Sequence, residues 1–132
     1  MQQNAKQGEE QKMVLIVDDE ADTRGIVRAF LEEGEGVDFA EAEDGKDALS
    51  HLTGKEVLII SDLNMPRMRG IELLREIRAR GLQTPFLLWS SALDTDTWRE
   101  AEALHAHCFS KLTDNDAALE WARRVMHGET IH

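Results

Sequence analysis

The chain reads as a doubly wound α/β domain on a parallel sheet, and three observations predict this. Short β-rich runs alternate with segments of helical period from Met13 onward, the order that βαβ units require. The run Val57-Leu58-Ile59-Ile60-Ser61 is apolar without alternation until its last residue, as in a strand covered on both faces. Four such runs also stop at residues of distinct polar chemistry. Asp18-Asp19 follows residues 14–17, Asp62 follows 57–61, Ser90 follows 85–89, and Lys111 follows 108–110. In parallel strands these carboxyl ends lie side by side, at the edge where open α/β sheets bind ligands. Three carboxylates, a hydroxyl and an ammonium then converge, a set that suits a divalent cation and a phosphoryl group.

The elements follow in order. Residues 14–17 form the first strand. Residues 21–33 form a helix with Ile26, Val27, Phe30 and Leu31 on one face and Gly34 just past its end. Residues 37–42 form a weaker strand, and a short helix over 46–52 is closed by Gly54. After the 57–61 strand, Pro66 and Gly70 mark a loop before a helix over 71–80, whose Ile71, Leu74 and Ile77 face the core. Glu76 and Arg80 form an i,i+4 pair on its wet side. Residues 86–90 make the fourth strand. Asp94 caps a helix running to about Ala106, and residues 108–110 make a fifth strand. Thr113 with Asp116 resembles a capping box for the last helix, in which Ala118, Trp121, Ala122 and Val125 form the apolar stripe.

Bulk properties restrict the function. The 132 residues suit one domain with a proper core. A formal net charge of -11 argues against a nucleic-acid surface, which needs clustered cations, and against anionic membranes. No apolar stretch approaches the roughly 20 residues of a membrane span. Residues 1–12 are polar and aperiodic and read as a disordered tail, without the apolar centre of a signal peptide. The single cysteine, Cys108, excludes an intrachain disulfide and fits a reducing cytoplasm.

Taken alone, Asp18-Asp19 is an ordinary helix-capping pair and Asp62 an ordinary turn residue. Together they are costly, because clustered like charges repel unless a cation or proton neutralises them. Carboxylate oxygens with retained waters describe a Mg²⁺ site, and a carboxylate can accept a phosphoryl group as a nucleophile.

The segments Val14-Leu15-Ile16-Val17-Asp18-Asp19-Glu20 and Ser61-Asp62-Leu63-Asn64-Met65-Pro66-Arg67-Met68-Arg69-Gly70 resemble the receiver domain of two-component response regulators, over about residues 13–127. The resemblance implies a flavodoxin-like sheet of order 2-1-3-4-5 with five helices, a chemotaxis-regulator-like single domain, and a short tail over 128–132. It implies that Asp62 is the phosphoacceptor, that Asp19 binds Mg²⁺ directly, and that Asp18 acts mainly through metal-bound water. The Asn64 backbone carbonyl would supply a further ligand, Ser90 would bond the phosphoryl group, and Lys111 would pair with a phosphoryl oxygen or, before transfer, with Asp62. The implied donor is a histidine kinase or phosphotransfer protein. The implied output is binding of a downstream protein, since only a few residues follow the last helix, whether the domain stands alone or belongs to a larger hybrid kinase.

The chain departs from the family pattern at several places. Leu112 stands where proline, with a cis peptide, usually follows the lysine. A cis bond before a non-proline residue costs about 2.5–4 kcal/mol, so a trans bond is expected. Cys108 occupies the aromatic switch position three residues before Lys111, and Phe109 should point to the other side of the strand. Trp89 is expected to fill core. Ser91 stands where a smaller residue is common, and Asn64 with Ala92, positions that tune dephosphorylation in this family, permit hydrolysis.

The alternative is a receiver-like interaction module that works without phosphate. An aspartyl-nucleophile phosphatase is disfavoured, because Asn64 stands where such enzymes need an acid. His105-Ala106-His107-Cys108 lacks a second ligand pair and reads as a helix end and strand start. The arginines between 67 and 80 read mainly as a solvated helix face. Trp121 is expected in the core, and Trp98 is open between core and surface.

Overall fold

The computed structural model describes residues 12–32 and 36–128. The 1–12 tail, apart from Lys12, the 128–132 tail beyond Gly128, and Gly34 all lie outside the described residues. Five strands, β1 (Lys12–Val17), β2 (Val37–Ala42), β3 (Glu56–Ser61), β4 (Phe86–Ser90) and β5 (His107–Ser110), form one sheet of order β2-β1-β3-β4-β5. Every neighbouring pair is parallel. Five helices alternate with them: α1 (Ala21–Leu31), α2 (Gly45–His51), α3 (Gly70–Ala79), α4 (Thr95–Ala103) and α5 (Asn115–Met126). The doubly wound architecture is the one the alternation of runs predicts.

Side-chain alternation along the central strands divides the core in two. Leu15, Val17, Ile59, Phe86 and Leu88 face α2, α3 and α4, where Ile71, Leu74 and Ile77 meet them. Val14, Ile16, Leu58, Ile60, Leu87 and Trp89 face α1 and α5. Cys108 lies in the first layer and Phe109 against the second, opposite sides of β5 as strand geometry requires.

Several local expectations need correction. In α1 only Val27 and Leu31 are buried, whereas Ile26 and Phe30 are 58% and 51% exposed. Val27 and Leu31, four residues apart, share the stripe that meets the sheet, and Ile26 and Phe30 sit one helical step round toward α5. The second helix begins at Gly45, because buried Asp44 caps it by accepting the Asp47 N–H at 2.9 Å. Asp94 caps α4 through the Thr97 N–H as expected, but the helix stops at Ala103. There His105 adopts φ 63°, and the Arg78 guanidinium takes the Leu104 carbonyl at 2.7 Å. The Thr113/Asp116 capping box does not form. Asp114 is the N-cap residue, and its carboxylate accepts the Ser110 N–H at 3.2 Å instead of a helical N–H.

The arginines are also more engaged than a solvated face implies. Arg67 pairs with buried Asp44, Arg75 with Glu100, and Arg80 with Glu76 at 3.4 Å. Burial alone would raise the Asp44 pKa, but the Asp47 N–H and Arg67 outweigh it and hold the carboxyl below its ordinary value. Trp121 is half-buried, edge-on to the His107 ring at 4.5 Å, and Trp98 packs partly buried against the first core layer.

Candidate functional site

The sheet ladder continues one residue past the strands and thereby aligns the polar termini. The Asp18 N–H donates to the Ala42 carbonyl, that of Asp62 to Val17, and that of Lys111 to Ser90, each at 3.0 Å. Register pairs Val17 with Ser61, Ser61 with Leu88, and Ser90 with Ser110. Residues separated by as many as 93 positions therefore finish at one edge.

Asp18, Asp19 and Asp62 each offer a carboxylate oxygen within 4.8 Å of the others. Lys111 Nζ donates to Asp18 Oδ2 at 3.1 Å and lies 3.7 Å from Asp62 Oδ1. The lysine thus bonds Asp18 and stands beside Asp62. Both Asp18 oxygens are engaged, since Oδ1 accepts the Glu20 N–H at 2.9 Å. Asp62 Oδ1 accepts the Leu63 N–H at 2.8 Å. Asp18 is buried, Asp62 half-buried and Asp19 exposed.

Three carboxylates against one ammonium leave net negative charge at this edge. Burial is the main cause that raises the Asp62 pKa. Lys111 opposes the rise, and Asp18 and Asp19 add to it. A group of hard oxygen donors with uncompensated charge has the chemistry that suits Mg²⁺.

The same shift gives a stability prediction. With its pKa raised, folded Asp62 keeps its proton to higher pH than the unfolded chain does, so stability falls as pH rises through that window. Asp62→Asn removes this decline. Without divalent cation at neutral pH it is expected to melt higher, by on the order of 1 kcal/mol or a few degrees. Thermal melts from pH 4 to neutrality check this, and a lower melting point for the variant would contradict it.

Ser90 ends β4, buried, with its Oγ accepting the Ala92 N–H at 3.2 Å. Asn64 is exposed two residues beyond Asp62. Among the described residues there is no cis peptide, so Lys111–Leu112 is trans as expected. The loop from Asp62 to α3 folds tightly. Gly70 donates to the Leu63 carbonyl at 2.9 Å, and Arg67 sits in the left-handed region at φ 65°, held by Asp44.

Trp89 does more than fill space. It is 7% exposed, and its Nε1–H donates to Asn115 Oδ1 at 3.0 Å. A groove of about 450 Å³ opens between α1 and α5, lined by Ile26, Phe30, Leu119, Trp89 and Lys111 among others. Trp89 and Lys111 also line the small cavity that contains Asp18 and Asp62. Asn115 was not distinguishable from a first-turn helix residue in the sequence. The only local signal was the polar run Asp114-Asn115-Asp116.

Residues 14–120 match the response regulator receiver domain family. The chain belongs to that family. Receiver domains are signalling domains of two-component systems that interact with histidine kinases or phosphotransfer proteins and with downstream targets. The chain is 43% identical over 81 residues to the Regulator of RpoS of Escherichia coli K12, a match covering 61% of this chain and 24% of that protein. The aligned part is thus about a quarter of the length of the curated relatives.

Among solved structures, the receiver domain of the Francisella response regulator 1452 is similar at 26% identity, with a TM-score of 0.76 over 88% of this chain and 97% of that one. The chemotaxis response regulator CheY4 of Vibrio cholerae is similar at 29% identity, with a TM-score of 0.73 over 87% and 98%. Among the described residues, no helix of this receiver is long and apolar enough to cross a membrane.

Proposed function

We propose that this receiver accepts a phosphoryl group on Asp62 from a histidine kinase or phosphotransfer protein and signals by binding a downstream protein. One observation carries the reading: the Asp62 carboxylate lies within 4.8 Å of Asp18 and Asp19 and has Lys111 Nζ 3.7 Å away. An Asp62 oxygen attacks phosphorus, and the bond from phosphorus to the donor's histidine nitrogen breaks, leaving its electron pair on that nitrogen. Phosphoryl transfer depends on positioning and charge neutralisation more than on covalent machinery.

Asp19, Asp62 and the Asn64 carbonyl would hold Mg²⁺, with Asp18 acting through water, and the cation would supply charge neutralisation at the phosphoryl oxygens. That Asp18 already receives Lys111 and the Glu20 N–H supports its indirect role. Lys111 meets a phosphoryl oxygen from the other side, and Ser90, one strand away, turns its hydroxyl toward the modified carboxylate. Exposed Ile26 and Phe30 beside the site offer apolar surface to a protein partner. The net charge of -11 opposes nucleic acid. In this reading the domain assists its own phosphorylation and hydrolysis and turns over no other substrate.

Incubation with acetyl phosphate and Mg²⁺ followed by intact mass measurement tests the proposal. One phosphoryl adduct is expected on the wild-type chain and none on Asp62→Asn. The phosphate-independent reading, which draws on Cys108 filling core where a switch aromatic usually stands, predicts no adduct on either.

A further inference from the structure

We infer that Asn115 is a positioning residue for Lys111, and that the Trp89–Asn115–Lys111 bridge sets where the lysine ammonium stands over the carboxylates. The inference rests on the reading of Lys111 as the cation that faces the phosphoryl group.

The turn from β5 to α5 has little apolar anchorage. Leu112 is 75% exposed, and Thr113 is exposed as well. Hydrogen bonds hold the turn instead. Most are internal: Leu112 N–H to Ser110 Oγ at 3.1 Å, Asp114 N–H to the Ser110 carbonyl at 2.9 Å, and Ser110 N–H to Asp114 Oδ2. The bond from Asn115 Nδ2–H to the Lys111 carbonyl, 3.0 Å, differs in kind. Its donor is fixed at the other end by buried Trp89 on a neighbouring strand. Lys111 is thus tied through one side chain to the second core layer.

The bridge has a defined polarity. An indole N–H only donates and a backbone carbonyl only accepts, so the middle group must accept at one end and donate at the other. A carboxamide does both, whereas a carboxylate presents acceptors to both. The amide is also free for this task, because the helix N-cap is Asp114 and Asn115 occupies the first helical position. Trp89 and Lys111 both line the small cavity at Asp18 and Asp62 and the outer α1–α5 groove. The bridge therefore lies in the wall between them.

The test compares Asn115→Ala, Asn115→Asp, Trp89→Phe and the double variant Trp89→Phe/Asn115→Ala with wild type. Two readouts are taken: the acetyl phosphate phosphorylation rate at saturating Mg²⁺, and the reactivity of the Lys111 amine to reductive methylation with no phosphodonor, quantified by mass spectrometry. Asn115→Ala is expected to slow phosphorylation about 10- to 100-fold, the cost of a misplaced catalytic group. It should also raise Lys111 reactivity several-fold. Asn115→Asp should be at least as slow as Asn115→Ala, since it keeps the indole bond but repels the Lys111 carbonyl.

Trp89→Phe keeps the ring and removes only the donor. It should act in the same direction, and the double variant should be no worse than Asn115→Ala. Wild-type rate and amine reactivity in Asn115→Ala, or additive effects of the two single variants, would overturn the inference. If Asn115→Ala fails to fold, Trp89→Phe and Asn115→Asp decide by the same readouts. Absence of phosphorylation in wild type would defeat the functional reading, while the methylation readout would still judge the bridge.

Discussion

Replacing Gly70 with alanine is expected to unseat the loop that follows Asp62. An added Cβ would lie 2.2 Å from the Asp62 carbonyl oxygen and 2.9 Å from a methyl of Leu88. The side chain of Leu88 could move, but the carbonyl belongs to the backbone that aims the carboxylate. Relief therefore requires α3 to back away from the end of β3, breaking the 2.9 Å bond from the Gly70 N–H to the Leu63 carbonyl. Overpacking of this kind costs about 3 kcal/mol, a fall in melting temperature on the order of 10 °C. Gly25 supplies the control. It sits inside α1, and an added methyl would meet nothing within 4 Å, so Gly25→Ala should stabilise by about 0.5–1 kcal/mol. Circular dichroism melts of the two variants measure both effects. A Gly70→Ala curve superimposed on wild type would show that the close approach is not a constraint.

The second large effect is expected at Lys111. Its ammonium bonds Asp18 at 3.1 Å and stands 3.7 Å from Asp62, so under the proposed function it would be the cation that meets the charge developing on a transferring phosphoryl group. Removing one preorganised donor of this kind costs about 100- to 1,000-fold in rate. Lys111→Ala should therefore phosphorylate from acetyl phosphate slower by that factor, while still binding Mg²⁺ through the intact carboxylates. Arginine should not restore the rate, because its planar fork cannot occupy the compact position of an ammonium. Stopped-flow kinetics at saturating Mg²⁺ measure the loss, and wild-type kinetics in Lys111→Ala would remove the lysine from the mechanism.

The parallel sheet and the meeting of Asp18, Asp19, Asp62 and Lys111 at one edge were legible in the residues themselves, whereas the strand order came from the resemblance to receiver domains. Short apolar runs alternating with segments of helical period mark the strands, and parallel strands share one carboxyl edge. What was not legible depended on tertiary contacts with weak local signals. Ile26 and Phe30 fit an apolar helix stripe, yet the sheet meets a narrower one at Val27 and Leu31. Thr113 and Asp116 have the spacing of a capping box, but Asp114 turns back to the Ser110 N–H. The Arg67–Asp44 pair spans 23 positions, and the Trp89–Asn115 bond spans 26. No periodicity encodes either. Trp89 illustrates the limit best: its bulk and apolarity predicted burial, but the partner of its one polar atom depended on where α5 begins.

The most direct measurement locates the modified atom. Wild-type chain treated with acetyl phosphate and Mg²⁺, then reduced with borohydride, converts an acyl phosphate to an alcohol that tandem mass spectrometry assigns to a residue. The account predicts conversion at Asp62 alone, lost when Mg²⁺ is chelated and lost in Asp62→Asn. Conversion at another carboxylate, or at Asp62 with equal yield in the absence of divalent cation, would contradict it.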